Sequence, residues 1–452
     1  MSNGAFFQAI HESVATIISI QKHGGDPEKL ITLLSDTLEH GSKISDRDEG
    51  IAAAAAVLLA LPMLTKSDGR NVRMSIVHVV EKILLIIDDP ENIRSLKSHH
   101  VLPIFTYSLG EWKSVNAKTD FLSKLLEFAS KSCKIHEDFF HPKNIVLLSK
   151  LVTELLTVLE GDYDPKIRKK AANSLQSLIS LSGTRKQSIS TIIPGVLSKL
   201  LNIIKTDPND NLSVKISSVE LYATCVTEGL GDTTFTHELL VNRTVEWRSE
   251  TCSSVKEQIL TISAILAVHK SELIRTSLVD LFLTVFESCS ESFGKTLNVA
   301  ALDLILLLCE DDFESVRGSV SRLEAILEKR SRNFYNTRLF EKLEQLIISL
   351  PSSTRGTRCP EALKMLTSIL ERQKDALWTL ATTHSAPLSN LLRALIASIE
   401  VDIQRMLISK SETASKRNDF LRRFPLRNQV PFDQISKICT LIADGTKFEV
   451  YS

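Results

Sequence analysis

Residues 164–178 read Asp-Pro-Lys-Ile-Arg-Lys-Lys-Ala-Ala-Asn-Ser-Leu-Gln-Ser-Leu, and this stretch shows how the chain starts its helices. An aspartate accepts hydrogen bonds from the free N–H groups at a helix start, and proline is favoured at the first helical position. Ile167 and Arg168 follow in the first turn, and the alanines and Leu175 then supply an apolar face. The stretch therefore predicts a helix that begins directly after Asp164.

The same signals recur along the chain at a nearly constant interval. Asp-Pro also opens helices at residues 26–27 and 89–90. Pairs of a β-branched and a basic residue follow acidic turns at residues 72–73, 167–168, 214–215, 274–275 and 316–317, and a helix without the pair starts near Thr119. The helix starts at residues 72, 119, 167, 214, 274 and 316 are separated by 47, 48, 47, 60 and 42 residues. Intervals of about 40–47 residues are typical of two-helix HEAT and armadillo repeats.

Each of these helices follows another apolar helix, so the unit of the repeat is a helical hairpin. The preceding helices include residues 146–159, 194–204 and 297–309, and Pro194 is placed at the start of one of them. One hairpin cannot bury its apolar face alone, but stacked hairpins form a continuous core. The sequence therefore predicts an all-α solenoid of HEAT/armadillo-like helix pairs, wound as a right-handed superhelix without any sheet. The alternative is an irregular helical protein whose helices happen to share ordinary caps.

The turn within each hairpin, which we call the A–B turn, carries the residues expected to hold the stack together. Its acidic residue caps the second helix, helix B, and the basic residue one turn later can reach a carboxylate of the adjacent repeat. This arrangement would form a ladder of ion pairs along the solenoid. The residues assigned to these turns and to the ladder are Asp89, Asp164, Arg168, Arg275 and Arg317.

The pattern divides the chain into three parts. Residues 1–409 are predicted to form the solenoid, with an insertion near 229–244 that explains the interval of 60 residues. Two less regular hairpins are expected late in this part, formed by residues 338–350 with 361–370 and by 375–382 with 387–406. A polar and basic linker, 410–428, and a short helix within 429–452 that starts a further repeat complete the chain.

Composition and charge exclude several classes of protein. Lys plus Arg and Asp plus Glu both number 54, so no global positive field would hold a nucleic acid. Only 16 glycines occur in 452 residues, fewer than a large β-sheet protein or a Rossmann enzyme needs for its turns. The longest apolar run, residues 51–64, is too short to span a bilayer, and the N-terminus carries no secretory signal. The seven scattered cysteines indicate a reducing compartment, so we expect a soluble protein of the cytoplasm or the nucleus.

No motif for catalysis, cofactor binding or metal binding stands out. The sequence lacks a phosphate loop and the GxSxG motif of hydrolases, and His136 and His141 are spaced so that they point to different helix faces. The predicted protein is therefore not an enzyme, and no catalytic, cofactor or metal site is assigned. One charged segment is assigned as a candidate partner surface through Arg417, Arg422 and Arg423, which could dock an acidic partner or belong to a solvated linker.

From about residue 147 to residue 442, the order of features resembles one HEAT-repeat family, that of the first Tel-two-interacting protein. The matching stretches are Lys166-Ile-Arg-Lys-Lys-Ala-Ala-Asn-Ser-Leu-Gln-Ser-Leu, Ile193-Pro-Gly-Val-Leu-Ser-Lys-Leu, Arg243-Thr-Val-Glu-Trp, Ile274-Arg-Thr-Ser-Leu-Val-Asp-Leu with Cys289, and Arg422-Arg-Phe leading to Ile438-Cys-Thr-Leu-Ile. Family members are considerably longer, so the resemblance implies that this chain is an N-terminal portion or a short form.

The resemblance implies a non-enzymatic role. The family is the large scaffold of the Triple T (TTT) cochaperone complex, with the Tel-two protein and the second Tel-two-interacting protein as sister subunits. The complex serves the heat-shock chaperone machinery and matures phosphatidylinositol 3-kinase-related kinases such as mTOR, ATM and ATR. This role supports growth signalling and the DNA-damage checkpoint. A nuclear transport receptor or a phosphatase scaffold is the alternative, although zero net charge argues against a receptor for basic cargo. An enzyme with a hidden site is the least supported alternative.

Overall fold

The computed structural model describes a chain built of helices. The described residues are 47–64, 70–87, 89–96, 119–136, 144–180, 186–206, 211–232, 245–293, 296–353, 359–373, 385–398 and 432–449, with residue 101 and scattered residues between 8 and 38. Every regular element within these ranges is helical, and none of these residues belongs to a strand. The predicted all-α solenoid class is confirmed, while the right-handed sense of the superhelix stays a prediction.

The described helices fall into two compact units. The first unit comprises residues 1–262 and 287–292, and the second comprises residues 263–286 and 293–452. In chain order the helices are α1 Arg47–Leu64, α2 Arg70–Ile87, α3 Pro90–Ser95, α4 Thr119–Ile135, α5 Ile145–Glu160, α6 Pro165–Ile179, α7 Lys186–Thr206, α8 Leu212–Leu230, α9 Val245–Leu266, α10 Glu272–Ser288, α11 Ser290–Phe293, α12 Thr296–Leu308, α13 Glu314–Ser353, α14 Cys359–Arg372, α15 Ser385–Ser398 and α16 Phe432–Glu449.

In the first unit the helices form two layers of stacked hairpins. The B helices α4, α6 and α8 pack side by side, while α5 packs on α6 and α7 packs on α8. Hydrogen bonds between α4 and α6 join residues one repeat apart in sequence. Ser130 Oγ lies 3.0 Å from Ser177 Oγ, 47 residues away, and Ser174 Oγ donates to the carbonyl oxygen of Leu126, 48 residues away. The interval found in the sequence is therefore the number of residues that separates positions in contact on neighbouring B helices.

Helix α6 shows why these residues form the core of the stack. Asp164 caps the helix and Pro165 opens it, as the sequence predicted. The residues facing α4, α5 and α8 are small or branched: Ala171 and Leu175 are fully buried and Ala172 is 1% exposed. Small residues let the neighbouring helices approach, and Leu175 fills the space between them.

We expect Leu175→Ala to lower the free energy of unfolding by roughly 3 kcal/mol, because it leaves a cavity at a fully buried position. The exposed neighbour Asn173 supplies the control, since Asn173→Ala on the same helix should change stability by less than about 0.5 kcal/mol. Urea unfolding followed by circular dichroism measures both variants. Equal effects of the two substitutions would contradict the assigned packing of α6.

Pro194 does not start a helix, so this prediction was wrong. Helix α7 begins at Lys186 and continues through Pro194 to Thr206. The proline ring removes one backbone donor, but contacts with α8 and α5 hold the helix together around it. Ile193 is 2% exposed and lies so close to Gly229 of α8 that a Cβ atom there would come within 2.8 Å of its Cδ1 atom. This close approach accounts for a glycine near the end of α8.

The second unit contains one exceptionally long helix. Residues 338–350 were predicted as a separate helix, but they belong to the 40-residue helix α13. The polar stretch from Ser331 to Thr337 contains neither glycine nor proline, so nothing in it stops the helix. Helix α13 packs against α12, α14 and α15, and α14 packs in turn against α12 and α16. The predicted division of the chain into solenoid, linker and last helix stays a prediction, although α16 lies in the predicted last part.

Candidate functional site

The two aspartates assigned to turns both cap helices. Asp89 Oδ1 accepts a hydrogen bond from the backbone N–H of Glu91 at 3.0 Å, and Asp164 Oδ1 accepts one from Lys166 at 2.8 Å. Another cap was not predicted from the sequence: Asn211 Oδ1 accepts hydrogen bonds from the N–H groups of Ser213 and Val214 at the start of α8. Its position directly before the first helical residue is the signal that could have found it.

Arg168 lies inside the first unit. Its side chain is 1% exposed, and its Nε atom donates to the carbonyl oxygen of Leu159 at 2.8 Å. That carbonyl belongs to the last turn of α5, where backbone acceptors have no partner within the helix. Arg168 therefore joins the start of helix α6 to the end of the helix before it. Of the other basic residues of the run, Lys166 and Lys169 are exposed, and Lys170 Nζ donates to Ser123 Oγ at 2.6 Å.

Arg275 joins two successive A–B turns of the second unit. Its Nε and Nη2 atoms donate to Asp311 Oδ2 and Oδ1 at 2.6 Å and 2.8 Å, a bidentate pair. Its Nη1 atom donates to the carbonyl oxygens of His269 and Lys270 at 2.5 Å and 3.1 Å. The guanidinium also lies 5.6 Å from the ring centroid of Phe313. Every donor nitrogen of Arg275 is thus engaged, and the side chain is held in one orientation.

Arg317 meets the same aspartate from the other side. Its Nη1 atom donates to the backbone carbonyl of Asp311 at 2.5 Å, while the N–H of Phe313 donates to Asp311 Oδ1 at 3.1 Å. Burial alone would raise the pKa of the Asp311 carboxyl, but the hydrogen bonds from Arg275 and Phe313 outweigh it and hold that pKa below its usual value. The structure therefore brings Arg275 and Arg317 together at Asp311. Arg168 and Asp164 lie in the other unit.

A second carboxylate cluster, at the end of α8, was not found from the sequence. The Asp232 carboxylate accepts from the backbone N–H groups of Glu291 at 3.0 Å and Ser292 at 3.0 Å, and from the Ser290 hydroxyl at 3.1 Å. Arg248 Nη2 donates to Ser292 Oγ at 2.6 Å. Asp232 therefore caps the short helix α11 from 58 or more residues away in sequence, which no local pattern could reveal.

The Asp232 cluster should make stability depend on pH. Burial alone would raise the pKa of Asp232, but hydrogen bonds from Glu291 and Ser292 lower it below its usual value. A lowered folded-state pKa stabilises the protein above the unfolded value of about 3.9, and this contribution is lost as the pH falls through the folded-state pKa.

We expect Asp232→Asn to lower the free energy of unfolding by about 1 kcal/mol at pH 7, because hydrogen bonds to a neutral amide oxygen are weaker than those to a carboxylate. The difference from the native chain should shrink below about pH 4. Urea titrations across that pH range measure both effects. Asp120→Asn, at an exposed carboxylate in the first turn of α4, is the control and should leave the pH dependence unchanged. A difference that stays constant down to pH 2 would contradict the role given to the charge of Asp232.

Several cysteines are core residues of the described part. Cys133 and Cys289 are almost fully buried, and burial raises the pKa of each to about 12. Among the described residues, no three histidine, cysteine or acidic side chains form a group that could hold a metal ion. None of the helices assigned to described residues is both long and apolar enough to cross a membrane. Arg417, Arg422 and Arg423, the candidate partner surface, lie outside the described residues.

Comparison with solved structures finds other helical-repeat proteins. A designed armadillo repeat protein in complex with the peptide (KR)4 is 13% identical, with 60% of this chain and 99% of that chain covered and a TM-score of 0.37. Yeast importin-beta (Kap95p) is 12% identical, with 97% of this chain and 54% of that chain covered and a TM-score of 0.40. Comparison with curated proteins found no match.

One protein family matches the repeat region directly. The family model described as the TTI1 N-terminal TPR domain matches residues 117–312, from just before α4 to the A–B turn that contains Asp311. TPR repeats are about 34 residues long, whereas stacked residues here lie 47 residues apart, as in longer two-helix repeats. The resemblance seen in the sequence is confirmed over residues 117–312, which match the N-terminal domain of TTI1, the first Tel-two-interacting protein.

Proposed function

We propose that this chain is a non-enzymatic scaffold of the TTT cochaperone complex that supports the maturation and stability of phosphatidylinositol 3-kinase-related kinases. The match of residues 117–312 to the TTI1 N-terminal domain is the observation that carries the proposal. The proposed partners are the Tel-two protein, the second Tel-two-interacting protein, the heat-shock chaperone machinery and client kinases such as mTOR, ATM and ATR. The proposed locations are the cytoplasm and, for a fraction of the protein, the nucleus.

The physical features of the described helices suit a scaffold. Stacked hairpins expose long rows of helix surface to partners while each repeat needs only its neighbours for stability. The A–B turns are fastened by hydrogen-bonded side chains, as at Arg168 in α6 and at Arg275 with Asp311. Rigid turns keep the surface in a fixed shape, which reduces the ordering cost when a partner binds.

Depletion of the protein in cells should lower the protein levels of mTOR and ATM without lowering their transcripts. A large kinase without its chaperone adaptor stays partly unfolded for longer and is degraded from that state. Immunoblots and transcript measurements after depletion test this expectation, with the native chain re-expressed as the rescue control. Unchanged kinase levels would refute the proposed function.

Rescue by variants separates a scaffold from an enzyme. Ala172→Pro, which should disrupt the stack in the first unit, should fail to rescue. Single substitutions of exposed polar groups, such as Cys439→Ser, should rescue fully because no chemistry depends on them. Co-purification of the Tel-two protein with the native chain would distinguish this assembly from a nuclear transport receptor or a phosphatase scaffold, which would bring down other partners.

A further inference from the structure

Three large apolar side chains are exposed on consecutive A–B turns of the second unit. Val268 is 54% exposed, Leu273 is 55% exposed and Phe313 is 43% exposed. Single exposed apolar residues are common on protein surfaces, but a group of them indicates an interaction site. We refer to Val268, Leu273 and Phe313 as the turn patch.

The contacts of Arg275 show that the turn patch is one surface. Its guanidinium donates to the carbonyl oxygens of His269 and Lys270, which directly follow Val268, and lies over the ring of Phe313. The start of α10 is joined to the next turn by a hydrogen bond of 3.3 Å from Ser315 Oγ to Glu272 Oε2, beside Leu273. The chain segments that carry the three apolar side chains therefore meet at the Arg275–Asp311 pair.

Hydrogen bonds hold the backbone beneath the patch before any partner binds. Arg275 is fixed by two carbonyls and a bidentate carboxylate, and the backbone of Phe313 is fixed by its N–H bond to Asp311 Oδ1. Binding hot spots typically combine aromatic and aliphatic anchors with arginine in a preorganised site. Little backbone entropy of the two turns would therefore be lost when a partner covers this surface.

The charges around the patch indicate the chemistry of the partner. Asp312 and Glu314 are exposed beside Phe313, and Glu272 precedes Leu273. Lys270 is an exposed cation at this edge, and the half-buried Lys364 interacts electrostatically with Asp311. Arg317 directs its guanidinium inward to the carbonyl of Asp311. A segment with Lys or Arg beside an apolar anchor complements this acidic rim.

We propose that the turn patch docks a partner protein segment in which an aliphatic or aromatic anchor is flanked by basic residues. The assignment rests on the proposed scaffold function, because it names one surface through which the scaffold would hold a partner. The anchor would cover Leu273 and Phe313, and the basic flanks would lie against Asp312 and Glu314.

A peptide selection on the full chain tests the assignment. A random-peptide phage library is panned on the native chain, with counter-selection on the Leu273→Ser/Phe313→Ser double variant. The recovered peptides should combine a large apolar residue with Lys or Arg neighbours. Their binding, measured by fluorescence anisotropy, should weaken more than tenfold with either single variant and severalfold with Asp312→Lys. Leu85→Ser is the matched control, because Leu85 is 58% exposed on α2, and it should leave binding unchanged.

Four outcomes would overturn the assignment. The first is that no peptide distinguishes the native chain from the double variant, and the second is that the selected peptides are acidic. The third is that Leu85→Ser weakens binding as much as Leu273→Ser. The fourth is concentration-dependent self-association, seen by analytical ultracentrifugation and lost in Leu273→Ser, which would assign the patch to a second copy of the chain. Peptide binding is measured on the isolated chain, whereas the proposed function is tested through kinase levels in cells. Failure of the turn-patch assignment can therefore be distinguished from failure of the proposed function.

Discussion

Replacing Asp311 with alanine should lower the free energy of unfolding by about 3–5 kcal/mol, since it strands a buried guanidinium. The side chains of Arg275 and Asp311 are 11% and 7% exposed, so little water would replace the lost carboxylate. The remaining bonds from Arg275 to the carbonyls of His269 and Lys270 favour the lower part of this range. Loss of the acceptor for the Phe313 N–H adds to the cost.

Urea unfolding of the Asp311→Ala variant measures this cost, with Asp312→Ala as the matched control. Asp312 is the next residue and is exposed, so its removal should change stability by less than about 0.5 kcal/mol. Arg275→Met combined with Asp311→Leu should recover part of the loss, because neither buried charge is then left alone. A loss below about 1 kcal/mol for Asp311→Ala would show that the pair is not needed to hold these turns.

Ala172→Pro should disrupt the first unit more than any removal of a single contact. Proline at this position deletes the N–H that a helix directs to the carbonyl of residue 168, and its ring clashes with that carbonyl, at a cost of about 3 kcal/mol or more. Helix α6 packs against α4, α5 and α8, so a kink at its middle also separates three neighbours. The total loss in the free energy of unfolding should therefore exceed the cost of placing proline within a helix alone.

The control for this experiment is Ala172→Gly, which keeps the N–H and should cost about 1 kcal/mol. Far-UV circular dichroism and limited proteolysis compare the two variants with the native chain. The proline variant should lose helical signal and become susceptible to cleavage within the first unit, whereas the glycine variant should retain the native pattern. If the proline variant unfolded at the same urea concentration as the native chain, α6 would not be central to the stack.

Much of the fold could be predicted because its signals are local. The cap at Asp164, the proline after it and the apolar spacing up to Leu175 lie within four turns of helix, and the structure has the helix at these residues. The interval of 47 residues could also be predicted, since similar helix-start signals recur along the chain at this separation. Such features depend on neighbours in sequence, which a single chain displays directly.

The rest depends on contacts between distant residues. Pro194 lies within α7 because Ile193 packs against Gly229, and residues 338–350 continue α13 because nothing in the preceding stretch stops the helix. At the candidate site, Arg275 could be selected from its position after an acidic turn. A carboxylate of the adjacent repeat was the expected kind of partner for Arg275. Its identity as Asp311, and the cap of α11 by Asp232, follow from how the turns meet, which the sequence does not display.

Helix α13 has a mechanical consequence for the second unit. At about 1.5 Å per residue, its 40 residues form a rod of roughly 60 Å. Repeat stacks bend mainly at the joints between hairpins, but one rod that contacts α12, α14 and α15 removes a joint from the region it spans. A force applied at one end of α13 would therefore be carried to the other end with little bending, so α13 would stiffen the part of the second unit that it spans.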